Sequence, residues 1–381
     1  MSENRQVTES RQRLYHEADM LKGSEIATRR LIAQQIARPA FKTPRDLVAW
    51  LGAVQAQDYA AVKWAAGLRL AGTATDAGIE RAIDDGAVLR THALRGTWQL
   101  VAPADVRWML ELVAPRLTAS YGTRYRQLGL DVATFHRSNA VLAKALRGGA
   151  QLTRAELALA LEAAGISTAG QRLAHLLQRA ELEALICGGA RRGKQFTYTL
   201  LENRAPSSHL RLERDETLAE LSLRYFRSRG PATLDDFKWW SGLAPADARA
   251  GLDAVKSRLA SSVIDSRTYW HDNDTVAKAR APAAFLLPAF DEYLIAYRDR
   301  DAVLDPKYVK RLNAGGGMLG PCIVLDGRVI GTWRRTLARA TVAIELDLFE
   351  APAQREHQAI ATAAQRYGAF HGVEASVVTP F

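Results

Sequence analysis

Leu185-Ile186-Cys187-Gly188-Gly189-Ala190-Arg191-Arg192-Gly193-Lys194-Gln195-Phe196-Thr197-Tyr198-Thr199 reads as two short strands around a tip of glycines and basic residues. The glycines mark the turn, and the β-branched and aromatic return side suits a strand. Upstream, Leu152-Thr153-Arg154-Ala155-Glu156-Leu157 opens a helix with a threonine cap and a glutamate three residues on, the reciprocal capping pattern. That helix ends at Gly165, and Thr168-Ala169-Gly170-Gln171 leads into a second with Leu173, Leu176, Leu177 and Ala180 on one side. Two crossed helices followed by a hairpin with a basic tip form a winged helix.

The pattern recurs on both sides. Downstream, Thr217 to Arg227 and Pro245 to Leu259 read as helices, with another opening through Gly230-Pro231-Ala232-Thr233. Val263 to Trp270 is the corresponding wing. Upstream, Ser24 to Ala37 is helical, Thr43-Pro44 caps a second helix with Leu47, Val48, Leu51 and Val54 on its buried stripe, and Tyr59 to Leu70 is a third. A further helix runs from Thr75 to Gly86. Val88 to Val101, alternating and rich in Thr and Val, is the ribbon of that unit, and Pro103-Ala104-Asp105 starts the next helix.

The last third changes character at Pro282. Gly315-Gly316-Gly317 reads as a loop, and Asp326-Gly327 between alternating apolar runs is a strong hairpin signal. A strand near Ala340 to Phe349 and a helix from Ala353 to Phe370 complete it. The expected class is α+β, with three tandem winged-helix modules followed by a small antiparallel β-barrel-like domain with a C-terminal helix. The expected divisions are a polar tail over 1–22, modules over 23–120, 121–205 and 206–281, and the β-barrel-like domain over 282–381. Met20 is a second candidate start.

Composition narrows the function. The chain has 381 residues, 48% hydrophobic, and a formal charge of +10 carried mostly by arginine. Arginine suits bidentate phosphate contact, and a basic balance attracts polyanions. Two cysteines and eight histidines without metal-ligand spacing argue against a disulfide framework or a metal centre, and for a reducing cytoplasm. No run suffices to span a bilayer, so no membrane partner is expected. No cofactor motif is present.

The candidate chemistry lies in Val54-Gln55-Ala56-Gln57-Asp58-Tyr59, read as the end of the second helix. On a helix, residues i and i+2 diverge by about 200°, so the two glutamines share a site only where the helix ends. Asp58 is the neighbouring carboxylate, either a base or a helix-end acid. Glutamine is no general base, but its carbonyl orients water and its amide holds a phosphate.

Gln55-Ala56-Gln57, Leu94-Arg95-Gly96-Thr97-Trp98, Leu287-Pro288-Ala289-Phe290-Asp291-Glu292-Tyr293 and Gly331-Thr332-Trp333-Arg334-Arg335 together resemble the bacterial winged-helix DNA-binding family that includes the azinomycin-resistance DNA glycosylase. The resemblance covers roughly residues 22 to 381. It implies a C-shaped arrangement with double-stranded DNA in a basic concavity, and a monofunctional glycosylase acting on alkylated purines, notably N7-alkylguanine, and on interstrand crosslinks. It also implies that Gln55 and Gln57 are catalytic, on the Gln-x-Gln rather than the Gln-x-Asp side of the family. Water is assigned to Gln57, and backbone or sugar positioning to Gln55. Lys63, Arg95, Arg191, Arg192, Lys194, Arg334 and Arg335 are the expected DNA contacts, the last two at the minor groove or in structural salt bridges. Trp98 is expected in the core, and Asp291 and Glu292 as internal partners of Arg298 or Arg300. The chain is expected to act as a monomer. The rival reading is a non-catalytic winged-helix DNA-binding protein or transcriptional regulator, in which the glutamines make polar contacts only.

Overall fold

Thr43 and Pro44 start a helix as their chemistry dictates. The Thr43 hydroxyl accepts the Asp46 N–H, Pro44 occupies the first turn, and Leu47, Val48 and Leu51 are buried along Pro44–Leu51. The helix stops there. Gly52 adopts φ 75°, which disfavours a Cβ, and the chain continues as strand β1, Ala53–Gln55. The expectation that the Gln-x-Gln segment ends an amphipathic helix is therefore corrected. Val54 is buried because it pairs with Leu100 across a sheet.

The computed structural model describes residues 23–206, 212–272, 283–313, 315 and 319–378. The polar tail over 1–22 lies outside them, as do Gly316 and Gly317 of the expected loop. Helix and strand mix throughout, in an α+β fold. Helices Gly23–Ala33, Pro44–Leu51, Tyr59–Leu68 and Asp76–Asp84 precede β2, Leu89–His92, and β3, Trp98–Val101, in an antiparallel sheet of order β1-β3-β2. Helices Val132–Ala145, Arg154–Ala163 and Arg172–Leu182 accompany a second small sheet of β4, Leu152–Thr153, β5, Ile186–Gly188, and β6, Thr197–Leu200. Helices Arg214–Arg229, Leu234–Ser241 and Pro245–Val255 precede the hairpin of β7, Ala260–Ile264, and β8, Arg267–His271. Each expected wing is thus an antiparallel pair after a helical group.

The C-terminal sheet departs from expectation. Strands β9, Ala284–Leu287, β10, Cys322–Leu325, β11, Arg328–Leu337, and β12, Thr341–Leu348, are antiparallel, and the β10–β11 turn is Asp326-Gly327 with φ 48° and 88°. After the helix Gln354–His371 the chain adds β13, Glu374–Val378, parallel to β12. The sheet, of order β13-β12-β11-β10-β9, is therefore a curled five-stranded sheet that is mixed rather than wholly antiparallel. The physical reason is the crossover: a helix between neighbouring strands returns the chain in the same direction.

One core joins the two ends of the chain. Leu47, Leu51 and Trp64 share it with Leu286, Val324, Trp333 and Tyr367. The indoles of Trp64 and Trp333 donate to the carbonyls of Leu286 and Leu287, at 2.7 and 2.8 Å. A Cβ on Gly67 would enter the buried Phe370 ring, which tilts against Trp64. Gly67→Ala is therefore expected to lower unfolding free energy by about 1–3 kcal/mol, read from urea denaturation, despite the better helix propensity of alanine.

Candidate active site

The two glutamines are presented by β1 and by the turn that follows it. Gln55 is half-buried opposite Gln99 on β3. Gln57 is exposed, one residue before Asp58, whose carboxylate caps the helix Tyr59–Leu68 by accepting the Ala61 N–H at 2.9 Å. The helix-end reading of Asp58 is the one this geometry carries. The divergence expected of two helical residues does not arise, because neither glutamine is helical.

Ala56, between them, is held on both sides. Its N–H donates to the Trp98 carbonyl at 2.7 Å, and its own carbonyl accepts Arg90 Nε and Nη2 at 3.3 and 3.2 Å. Arg90 in turn stacks on the Trp98 ring, 3.9 Å from its centroid, and burial lowers its pKa from the usual arginine value. Trp98 is accordingly half-buried under a guanidinium rather than fully enclosed. Nothing in the local pattern marked Arg90 as a support. His92 pairs with Glu181 at 2.6 Å, so it is engaged by an internal carboxylate.

Arg95 reaches Gln55. The turn Leu94–Gly96 places Arg95 at φ 58° and Gly96 at φ 68°, and the left-handed arginine is a conformation tolerated only where its surroundings fix it. Here its Nη2 donates to Gln55 Oε1 at 2.8 Å and its Nη1 to the Trp239 carbonyl at 3.3 Å. Because the Gln55 oxygen is engaged, its N–H₂ end is the one left for a substrate.

Behind the strand lies a buried charge pair. Glu292 Oε1 accepts the Gln55 N–H at 3.0 Å, while its Oε2 accepts Arg229 Nη2 at 2.7 Å and the Trp240 indole at 3.0 Å. Arg229 also donates to the carbonyls of Leu51 and Ala53, at 2.6 and 2.8 Å. Glutamate and arginine thus grip three backbone groups of the segment that leads into the motif. Asp291 binds Arg69 through both oxygens, at 2.7 and 2.9 Å. The two acids are internal, as expected, but their partners are Arg69 and Arg229. Arg298 and Arg300 instead contact Asp236 and the Leu294 carbonyl, through a backbone N–H and a guanidinium respectively.

The expected DNA contacts divide. Lys63 is buried and bonded to Asp76 and Glu80, both at 2.7 Å, so in this state it is an internal ion-pair partner instead of a free phosphate ligand. Arg191 meets the same Glu80 at 3.3 Å, and both cations lie over the Tyr59 ring, which brings the basic tip between β5 and β6 against the helix that follows Gln57. Arg192 is exposed and pairs with Glu156, and Lys194 is exposed at the tip. Arg334 and Arg335 are exposed neighbours on β11, so the strand pleat turns them to opposite faces. Among the described residues no group of three or more His, Cys, Asp or Glu converges as a metal site, and no helix is long and apolar enough to cross a membrane.

The sequence model of the family described as DNA glycosylase AlkZ-like matches residues 48–370, from the Pro44–Leu51 helix to the C-terminal helix. The chain belongs to this family. AlkZ-like membership makes it a DNA glycosylase, a hydrolase of N-glycosidic bonds, and agrees with the resemblance carried by the four motifs. The chain is 27% identical over 309 residues to the interstrand DNA cross-link repair glycosylase of Streptomyces sahachiroi, covering 76% of this chain and 81% of that one. The solved structure of Streptomyces sahachiroi DNA glycosylase AlkZ superposes with a TM-score of 0.77 at 22% identity, over 94% of this chain and all of that one, so the AlkZ fold is shared.

Proposed function

We propose that this glycosylase hydrolyses the N-glycosidic bond of alkylated purines of the N7-alkylguanine kind in duplex DNA, and that interstrand crosslinks made through such adducts are also substrates. In this reading the three helical groups with their hairpins are winged-helix modules over 23–120, 121–205 and 206–281. The sheet domain over 282–381 closes the duplex-binding concavity. The protein works as a monomer in the cytoplasm.

N7-alkylation leaves the purine cationic and primed to depart, so the site has to position water and stabilise an oxocarbenium-like sugar. Gln57 orients the water through its amide oxygen, and Gln55 offers its N–H₂ to the sugar or backbone. The observation that supports this division is the 2.8 Å bond from Arg95 to the Gln55 oxygen, which leaves that glutamine a donor. Lys63, engaged by two carboxylates, is poorly placed to form a Schiff base, which favours simple hydrolysis to an abasic site. Arg191, Arg192, Lys194, Arg334 and Arg335 contact phosphates.

A duplex with one N7-methylguanine is the direct test. The wild-type protein is expected to release the base and leave an alkali-labile site, with binding that weakens steeply as salt rises. Failure to release base from this or a bulkier N7 adduct, while the duplex is bound, overturns the substrate assignment.

A further inference from the structure

We propose that Trp239 stacks on a nucleobase unstacked from the duplex held at Gln55 and Gln57, and so sets how tightly the DNA is gripped at the site. The substrate side of this inference rests on the reading above; the residue side rests on geometry. The helix Leu234–Ser241 buries Phe237 and Trp240, whereas Trp239 is 48% exposed. Among the described residues, it is the one exposed tryptophan of the chain's eight.

Its polar edge does not account for that exposure. The Trp239 indole N–H points inward and donates to the Ile295 carbonyl at 3.0 Å, so the protein satisfies the polar atom and leaves apolar ring to solvent. This reverses the usual compromise of a surface tryptophan, which shelters its ring and wets its nitrogen. The same bond anchors the ring at its polar edge, so less rotational freedom is lost when a ligand stacks on it.

The surroundings select the ligand. The main-chain carbonyl of Trp239 accepts Arg95 Nη1, and the other terminal nitrogen of that guanidinium holds Gln55 Oε1. One guanidinium therefore separates this residue from the motif. Arg300 lies 6.0 Å from the ring centroid, and the exposed Arg116 donates to the Gly242 carbonyl at 3.1 Å, just past the end of the same helix. An accessible aromatic face among arginines is the combination that binds unstacked bases without sequence preference, because every base drawn out of the duplex stack offers a π-face and every nucleotide a phosphate. An apolar protein partner would meet the exposed Arg116 and the half-buried Arg95 and Arg300 here, and DNA is the complementary occupant. The sequence carried little signal for this role, since Trp239-Trp240 reads equally well as two core residues.

The test compares the wild type with Trp239→Ala and Trp239→Phe at fixed salt. It reads duplex affinity by anisotropy, tryptophan fluorescence during titration, melting temperature, and single-turnover base release from an N7-methylguanine duplex. Trp239→Ala is expected to weaken binding on the order of tenfold with melting unchanged, and Trp239→Phe to recover most of the loss. Wild type is expected to lose fluorescence on binding by an amount absent from both variants. Binding by Trp239→Ala within twofold of wild type, or a fluorescence change that the variants retain, overturns the stacking role. If no protein releases base but the affinity loss and the Trp239-dependent quench persist, the substrate reading falls while the stacking stands. Robust base release with a silent Trp239→Ala gives the converse. Should Trp239→Ala melt early, the Trp239→Phe quench comparison decides.

Discussion

Gln57→Ala is expected to lower single-turnover base release from an N7-methylguanine duplex by roughly 100-fold or more, the scale of losing a positioned group that acts in the transition state. Duplex affinity and melting temperature should stay at wild-type values, because the side chain is exposed and lies in a turn. Gln55→Ala should differ in kind. It removes the acceptor of Arg95, which sits in a left-handed turn, so some loss of binding is expected alongside the loss of rate. Wild-type base release by Gln57→Ala, measured where its DNA binding is intact, would remove Gln57 from the chemistry and leave Asp58 as the nearest polar group.

Glu292→Ala is the substitution expected to cost most in stability. Glu292 and Arg229 are 1% and 0% exposed, and each satisfies the other together with backbone groups of the Leu51–Gln55 segment. Removing the carboxylate strands a buried guanidinium, a change of about 3–5 kcal/mol. Urea denaturation should register this as a lower midpoint with little change in slope. Glu292→Gln retains an acceptor for the Gln55 N–H and tests geometry against charge: a full loss assigns the effect to the ion pair, and a small one to the hydrogen bonds. Replacing both Glu292 and Arg229 by apolar residues should be milder than the single change, since no charge is then left unpaired.

Much of the helical plan was legible because its signals are local. Thr43-Pro44, Thr153 with Glu156, and Asp326-Gly327 each act within a few residues, and each appears where its chemistry puts it. The motif reads as helix from Leu47, Leu51 and Val54, which fit a 3.6-residue period, while Gly52, the residue that ends the helix, carries the better signal. Strand β13 escaped because its partner lies across an 18-residue helix and its pairing is parallel. In the site, acidic residues were correctly placed inside, but sequence proximity suggested Arg298 and Arg300 where space supplies Arg69 and Arg229. The same limit hid Arg90, Trp239 and the diversion of Lys63 to Asp76 and Glu80. Each depends on contacts that no local spacing encodes.

The carboxylate that holds the Gln55 backbone comes 237 residues later in the chain. At a translation rate of about 5–20 residues per second, the strand bearing the glutamines emerges from the ribosome some ten to fifty seconds before its clamp is synthesised. The core that buries Trp64 likewise waits for Leu286, Trp333 and Tyr367. Nascent chains ending before Glu292 therefore carry both glutamines with Arg90, Arg95 and Trp98 but without the carboxylate that fixes the Gln55 backbone, and the site is complete only once that carboxylate has been made.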